Sequence, residues 1–271
     1  MKDLSYIDYT FFDKPEILSC IFYPREENSQ FHPVGTEELL IPVKDGFFIG
    51  ARLHHTDKKA PVILFFHGNG EIVSDYDELA PLYLEKGINF LPVDYRGYGL
   101  STGKPTVTAM MRDAHIIFEF IKNWLKEYSF TGHLIIMGRS LGSASALEIA
   151  VNYEDYIDGL IIESGFAYTL PLLSTLGVDV DALNIMEKKG LQNIDKAAKF
   201  KKRFLVIHAE HDHIIPFSEG KLLFDASPST KKNMLMIPGA DHNTIFSAGF
   251  NDYMKAVKEL ADCRGLGTGT K

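Results

Sequence analysis

The sequence predicts an α/β fold: a mostly parallel central sheet with helices on both faces and a small cap insertion. Three observations carry that expectation. From about residue 60 onward, short apolar runs alternate with helical patterns, as a parallel sheet with crossover helices requires. The run Leu134–Met137 leads through Gly138-Arg139-Ser140-Leu141-Gly142 straight into the small-residue helix pattern Ser143–Leu147. Four chemically loaded loops also fall just past the carboxyl ends of predicted strands, where an open parallel sheet gathers its ligand site.

Taken in chain order, an aromatic-rich segment to about Pro33 reads as a helix or strand packed across the sheet edge. Thr36 to Val43 and Phe47 to His54 flank Lys44-Asp45-Gly46, a hairpin in which Gly46 supplies positive φ. Val62–Phe66 is the next strand. The clearest helix covers about Thr108 to Lys126, because Met110, Ala114, Ile117, Phe118, Ile121, Trp124 and Leu125 recur at spacings of three and four. That stripe reads as core packing. Leu160–Ile162, Phe204–His208 and Met234–Ile237 are further strands, and the last helix runs from about Thr244 to Cys263 on Phe250, Met254, Val257 and Leu260. Residues 264–271 read as a flexible tail. There is no internal repeat, and the whole of 1–271 is expected to form one domain.

Residues 165–201 break the rhythm, being longer than one crossover helix needs. Loops at the carboxyl edge of a sheet can grow without disturbing the core, so this stretch predicts a small cap over the site. Leu170, Leu172, Leu173, Leu176 and Val178 either line an acyl pocket or pack the cap onto the sheet. A cap this small predicts a shallow or partly open site suited to a modest acyl group.

Composition narrows the function classes. At 45% hydrophobic and 24% charged residues the balance is that of an ordinary globular domain. A net charge of −8 argues against nucleic acid or an anionic membrane surface as the main partner. Cys20 and Cys263 give neither a disulfide framework nor zinc spacing. The charged start Met1–Tyr6 lacks a secretory apolar region, and no run approaches the ~18 apolar residues of a membrane span. The expectation is a cytoplasmic protein with no membrane span and no cofactor. The sequence does not specify an oligomeric state.

The chemistry begins at Ser140. A strand, one residue of sharp turn and a helix is the context in which G-x-S-x-G becomes a nucleophile elbow. The turn brings strand and helix backbones together, leaving little room for a Cβ at Gly138 or Gly142. A serine used this way needs a base, an acid that orients the base, and a second oxyanion donor. His67-Gly68-Asn69-Gly70, Asp212 and His242 each follow a predicted strand in the required order.

With these segments in place the sequence resembles the α/β-hydrolase family over about residues 36 to 262. His67-Gly68-Asn69-Gly70, Asp94-Tyr95-Arg96-Gly97-Tyr98-Gly99 and Gly138-Arg139-Ser140-Leu141-Gly142 look like the small bacterial esterases and the eukaryotic members related to protein depalmitoylases. His208-Ala209-Glu210-His211-Asp212-His213-Ile214-Ile215-Pro216 is similar to the family's acid loop, with Ala209 where a glycine is common. The resemblance implies Ser140 as nucleophile, Asp212 as acid, His242 as base, and the N–H groups of Asn69 and Leu141 as the oxyanion hole. It implies a small-molecule acyl ester as substrate.

Other residues carry competing readings. Glu163 is an alternative acid or a supporting group, and Asp241 is expected to cap the turn after it. His208, His211 and His213 lack a compact set of further ligands, so no metal is expected. Arg139 faces solvent or braces a neighbouring loop, Arg96 is expected to hold its glycine-rich loop through backbone carbonyls, and Glu71 and Tyr76 are near enough to border the pocket. Three functions follow: a carboxylesterase for small to medium acyl groups, a thioesterase or serine peptidase with the same triad, and a non-catalytic binding protein on a hydrolase fold.

Overall fold

The apolar runs assemble into one sheet in the computed structural model of the chain, which describes residues 4–27, 33 and 35–262. The strands are β1 (Thr36–Pro42), β2 (Phe48–His54), β3 (Val62–Phe66), β4 (Asn89–Val93), β5 (Leu134–Arg139), β6 (Gly159–Glu163), β7 (Arg203–Ala209) and β8 (Lys232–Ile237). Their spatial order is β1-β2-β4-β3-β5-β6-β7-β8. β2 pairs antiparallel with both β1 and β4, and every other neighbouring pair is parallel. The chain leaves β3 toward β4 and returns to the other side of β3 as β5, so the strand order reverses between β3 and β5. A crevice opens outside the carboxyl ends of strands at such a reversal.

The helices are α1 (Pro15–Ile21), α2 (Ala80–Glu85), α3 (Val107–Glu127), α4 (Gly142–Asn152), α5 (Thr169–Thr175), α6 (Asn193–Ala197), α7 (Phe217–Ala226), α8 (Ile245–Ala248) and α9 (Phe250–Ala261). Both faces of the sheet are covered, which is why the parallel strands are apolar throughout rather than alternating. Ile136 of β5 joins the core formed with α3 and α4, while Ile135 and Met137 join Tyr83 of α2 and Val257 of α9. α3 buries the predicted stripe from Met110 to Leu125, and its amino end is capped by Thr106, whose Oγ1 accepts the Ala109 N–H at 3.0 Å.

Two local expectations need correction, and the hairpin, with Gly46 at positive φ as expected, has a second left-handed residue beside it. The amino-terminal segment does not cross the sheet edge. Arg112 Nε donates to the Ile7 carbonyl at 2.7 Å and the Tyr9 N–H donates to Thr108 Oγ1 at 3.1 Å, so the segment packs over the start of α3, and α1 touches α5. The hairpin needs two left-handed residues, Asp45 at φ 64° and Gly46 at 76°, an arrangement that aspartate tolerates through local hydrogen bonding. The last helix is divided into α8 and α9 at Gly249, where a Cβ would run into the Ile237 side chain. Its predicted end at Cys263 and the tail 264–271 lie outside the described residues.

Residues 165–201 fold as α5, a single 3-10 turn at Glu187–Lys189, and α6. Two carboxylates hold this stretch at the amino end of α5. Glu219 accepts the N–H groups of Ala167 (2.9 Å) and Tyr168 (3.0 Å), and Glu187 accepts those of Thr169 and Leu170, both at 2.8 Å. A carboxylate there meets otherwise unpaired donors and the positive end of the helix dipole.

Ile121 is fully buried at the centre of the α3 stripe. Ile121→Ala is expected to lower the unfolding free energy by about 2–5 kcal/mol, seen as a lower urea midpoint with an unchanged slope.

Candidate active site

β5 delivers Ser140 at the crevice. Ser140 has φ 51°, a left-handed value that a side chain adopts only under constraint from its surroundings. The constraint is visible on both sides. A Cβ at Gly138 would collide with the Gly142 carbonyl and with Ala146, and one at Gly142 would collide with the backbone carbonyls of Phe66 and His67. The Ser140 N–H donates to the Glu163 carbonyl at 2.9 Å, tying the turn to β6. Backbone therefore meets backbone with no room for anything but glycine where β5 touches α4 at Gly138 and where α4 touches the end of β3 at Gly142.

His242, in the loop after β8, places Nε2 3.0 Å from Ser140 Oγ. Its Nδ1 lies 2.7 Å from Asp212 Oδ2 in the loop after β7. Asp212 Oδ1 accepts the N–H groups of Ile214 (3.0 Å) and Ile215 (2.8 Å), which fix the carboxylate. Burial acts to raise the Asp212 carboxyl, but the hydrogen bond and charge of His242 together with the Ile215 N–H hold it below the ordinary carboxylate value. His208 stands behind it, donating from Nε2 to the Ile215 carbonyl at 2.8 Å, and burial pushes its imidazole toward the neutral form. The sequence thus brings Ser140, His242 and Asp212 into one hydrogen-bonded row from the ends of three strands.

The loop after β3 faces that row. Gly68, Asn69, Ser140, Leu141 and His242 all line one cavity, so both expected oxyanion donors border the serine. The loop is clamped from several directions. His67 Nδ1 is 2.7 Å from the Gly68 carbonyl, Tyr95 Oη donates to the His67 carbonyl at 2.7 Å, and Asn69 Oδ1 accepts both the Tyr23 N–H (2.9 Å) and Tyr98 Oη–H (2.8 Å). Arg25 donates to the Gly70 carbonyl at 2.7 Å and pairs with Asp75. The Asn69 carbonyl oxygen thus ties its loop to Tyr23 and Tyr98.

Behind the serine lies a buried charged cluster. Arg139 Nε is 3.2 Å from Glu71 Oε1 and 3.4 Å from Glu163 Oε1, and Arg139 Nη2 donates to the His242 carbonyl at 3.0 Å. Glu71 Oε2 accepts the Gly68 N–H (2.7 Å) and Tyr76 Oη–H (2.6 Å); Glu163 Oε2 accepts Tyr253 Oη–H at 2.6 Å. Burial acts to raise the Glu71 carboxyl, yet Arg139 and Tyr76 hold it below its ordinary value. Burial prevails at Glu163, whose carboxyl is raised despite Arg139. Glu163 therefore pairs with Arg139 and Tyr253, and the carboxylate that reaches the His242 ring is Asp212. Of the two readings of Arg139, the structure supports the brace.

The remaining candidates sort plainly. Asp241 Oδ1 accepts the N–H groups of Asn243 and Thr244, both at 2.9 Å, capping the following turn. Arg96 departs from expectation: it binds Asp113 of α3 through two bonds of 2.6 and 2.9 Å rather than the carbonyls of its own loop, because a buried guanidinium is better compensated by a carboxylate. His211 and His213 are exposed, and among the described residues no group of three or more His, Cys, Asp and Glu side chains could hold a metal ion.

The cavity measures about 320 Å³ and is mostly apolar. Leu172, Leu173 and Leu176 line it, whereas Leu170 and Val178 pack against the core. Leu172 and Leu173 do both, since they also pack in or against the core. The opposite wall was not foreseen: Ile21 and Tyr23 come from the amino-terminal segment, and Val107 and Met110 from the start of α3. Aromatic density in the first 33 residues signalled burial there but gave no surface.

Asp212 makes one stability prediction. Because its folded carboxyl sits below the ordinary value of 3.8, it adds stability that is fully present above 3.8 and lost as pH falls through the lower folded value. Urea unfolding of Asp212→Asn beside wild type should show a deficit at neutral pH that closes through the acid range.

Comparisons with known proteins agree with this geometry. The prolyl oligopeptidase family matches residues 117–262, more than half the chain, and the serine aminopeptidase (S33) family matches residues 57–173. Human protein ABHD12B is 28% identical over 209 residues, covering 68% of this chain and 56% of that protein. Human alpha/beta hydrolase domain-containing protein 17B is 30% identical over 207 residues, 73% of this chain and 65% of that protein. The chain thus spans less than two thirds of either relative. Among solved structures, the Pyrococcus furiosus esterase Pf2001 shares the fold with a TM-score of 0.72 at 15% identity, over 90% of this chain and 99% of that one. Est1E from Butyrivibrio proteoclasticus, seen with ferulic acid bound, superposes with a TM-score of 0.68 at 21% identity, over 82% and 97%. Among the described residues, no helix is long and apolar enough to cross a membrane. With the sheet order, the elbow and these matches together, the chain belongs to the α/β-hydrolase-fold family of serine hydrolases.

Proposed function

We propose that this protein is a carboxylesterase acting on small to medium acyl esters through an acyl-enzyme on Ser140. The observation that carries the reading is the row Ser140 Oγ, His242 Nε2 at 3.0 Å, and His242 Nδ1 to Asp212 Oδ2 at 2.7 Å. A free serine hydroxyl is a weak nucleophile, so His242 takes its proton as Oγ attacks the acyl carbonyl, then returns it to the leaving alcohol. Asp212 keeps the proton of the imidazole on Nδ1 and stabilises the imidazolium formed during attack. The backbone N–H groups of Asn69 and Leu141 receive the oxyanion, Leu141 with the help of the α4 amino terminus. Water then cleaves the acyl-enzyme by the same two proton transfers. We place the enzyme in the cytoplasm on its acidic, cysteine-poor composition, with one cavity for a small-molecule substrate and no resident cofactor.

The apolar lining supports an acyl chain over a peptide. An aminopeptidase needs a carboxylate free to receive a substrate ammonium, and Glu71, which borders the cavity, is already engaged by Gly68, Tyr76 and Arg139. A thioester would use the same row and the same pocket, differing only in its leaving group.

Hydrolysis of 4-nitrophenyl esters from acetate to palmitate tests the reading. Wild type is expected to turn over short and medium chains with a rate that falls at the long end, and Ser140→Ala to abolish turnover while keeping the urea midpoint. Turnover retained by pure Ser140→Ala overturns the nucleophile assignment, and a wild type active on no ester of the series overturns the esterase reading. A second prediction concerns pocket depth. Leu176 is half-buried on the cavity wall, so Leu176→Trp should move the preferred chain toward acetate by filling that wall. The chain-length profile of kcat/KM measures it; an unchanged profile places the acyl chain elsewhere.

A further inference from the structure

We infer that Arg139 is a positioning residue for the reaction: with Glu71 it forms a buried strut that sets the oxyanion loop and the base loop relative to Ser140. The inference rests on the serine-hydrolase reading above and assigns a role to two side chains outside the row Ser140, His242 and Asp212. Three separate segments meet at one guanidinium. Arg139 is itself the residue before the serine on β5, its Nη2 donates to the carbonyl of His242, and its Nε faces Glu71 at 3.2 Å. Glu71 in turn accepts the Gly68 N–H at 2.7 Å, next to the peptide that supplies the Asn69 N–H. A Cβ on Gly68 would lie only 3.0 Å from both Glu71 carboxylate oxygens, so the carboxylate sits directly against the loop backbone.

Charge balance makes the strut specific. Arg139 and Glu163 are almost fully enclosed, at 11% and 5% side-chain exposure, so the guanidinium is shielded from solvent and its neighbours must compensate it. Tyr76 and Tyr253 supply the remaining donors, each to one carboxylate. Glu71 carries the stabilised negative charge, held below its ordinary value by Arg139 and Tyr76 against the effect of burial. A fixed charge pair of this kind holds the Gly68–Asn69 backbone and the His242 backbone at a set separation, and both border the cavity that holds the serine. Displacement of such a backbone donor by a fraction of an ångström weakens the interaction that grows in the transition state while leaving the apolar pocket unaltered.

The role predicts a split that general destabilisation does not produce. Glu71→Gln preserves shape and an oxygen for the Gly68 N–H but removes the charge that Arg139 meets. It is expected to lower kcat by about tenfold with KM within a factor of two, measured under conditions where the variant's urea transition shows it to be fully folded. Arg139→Gln should lower kcat further, Arg139→Lys should recover part of it, and Glu71→Gln added to Arg139→Gln should cost no more than Arg139→Gln alone, because the two act as one unit. Glu71→Gln is the deciding variant where Arg139→Gln fails to fold. Wild-type kcat in Glu71→Gln, or fully additive losses in the double variant, overturns the strut. Loss of Ser140-dependent turnover in wild type itself would instead overturn the serine-hydrolase reading, so the two failures are distinct.

Discussion

The close approach of β5 and α4 is the constraint on which the site depends. Gly138 lets the strand touch the helix backbone at Gly142, Gly142 lets the helix touch the end of β3, and the three residues between them reverse the chain direction. Ser140 is held at φ 51° as a result, a conformation costing on the order of 1–3 kcal/mol for a non-glycine residue. The same geometry brings the first turn of α4 against the carbonyls of Phe66 and His67 at the end of β3. Elbow and oxyanion loop are therefore positioned by two adjoining backbone contacts: a methyl group at Gly138 would push β5 from α4, and one at Gly142 would push α4 from the end of β3.

Around these contacts polar groups add a set of specific anchors to the apolar packing of loop residues such as Ile72, Ile215 and Ala240. The oxyanion loop is gripped by Tyr23, Arg25, Tyr95, Tyr98 and Glu71, the acid loop by the N–H groups of Ile214 and Ile215, and the base loop by Arg139. Removing one member of a buried ion pair typically costs about 3–5 kcal/mol, because the partner is left uncompensated. Such a cluster is therefore expensive to disturb, and it gives three loops from different strands a common anchor. The cap is fastened in the same manner, through Glu187 and Glu219 at the start of α5.

The fold was legible because hydrophobic period and strand-to-helix alternation are local properties. α3 lies within a residue of its expected ends, and seven of the eight described strands fall on the apolar runs singled out in the sequence; β4, interrupted by Pro92, is not among them. The site row was legible because the elbow motif fixes one member and the order of strand ends fixes the others. What escaped depends on long-range placement. Nothing local says that residues 4–27 turn toward α3 and contribute Ile21 and Tyr23 to the pocket, that Arg96 reaches Asp113, or which of the five cap side chains face the cavity. The break at Gly249 escaped the single-helix reading of Thr244 to Cys263, because the collision with Ile237 that makes glycine necessary there appears only once β8 and α8 are neighbours.

The most direct test of the account is peptide mapping by mass spectrometry after reaction with a fluorophosphonate, which bonds covalently to an activated serine. The account predicts a single stoichiometric adduct on the peptide containing Ser140, formed far more slowly when His242 is replaced by alanine. No adduct, or an adduct on another residue with Ser140 unmodified, would contradict the claim that these strand ends assemble a working serine nucleophile.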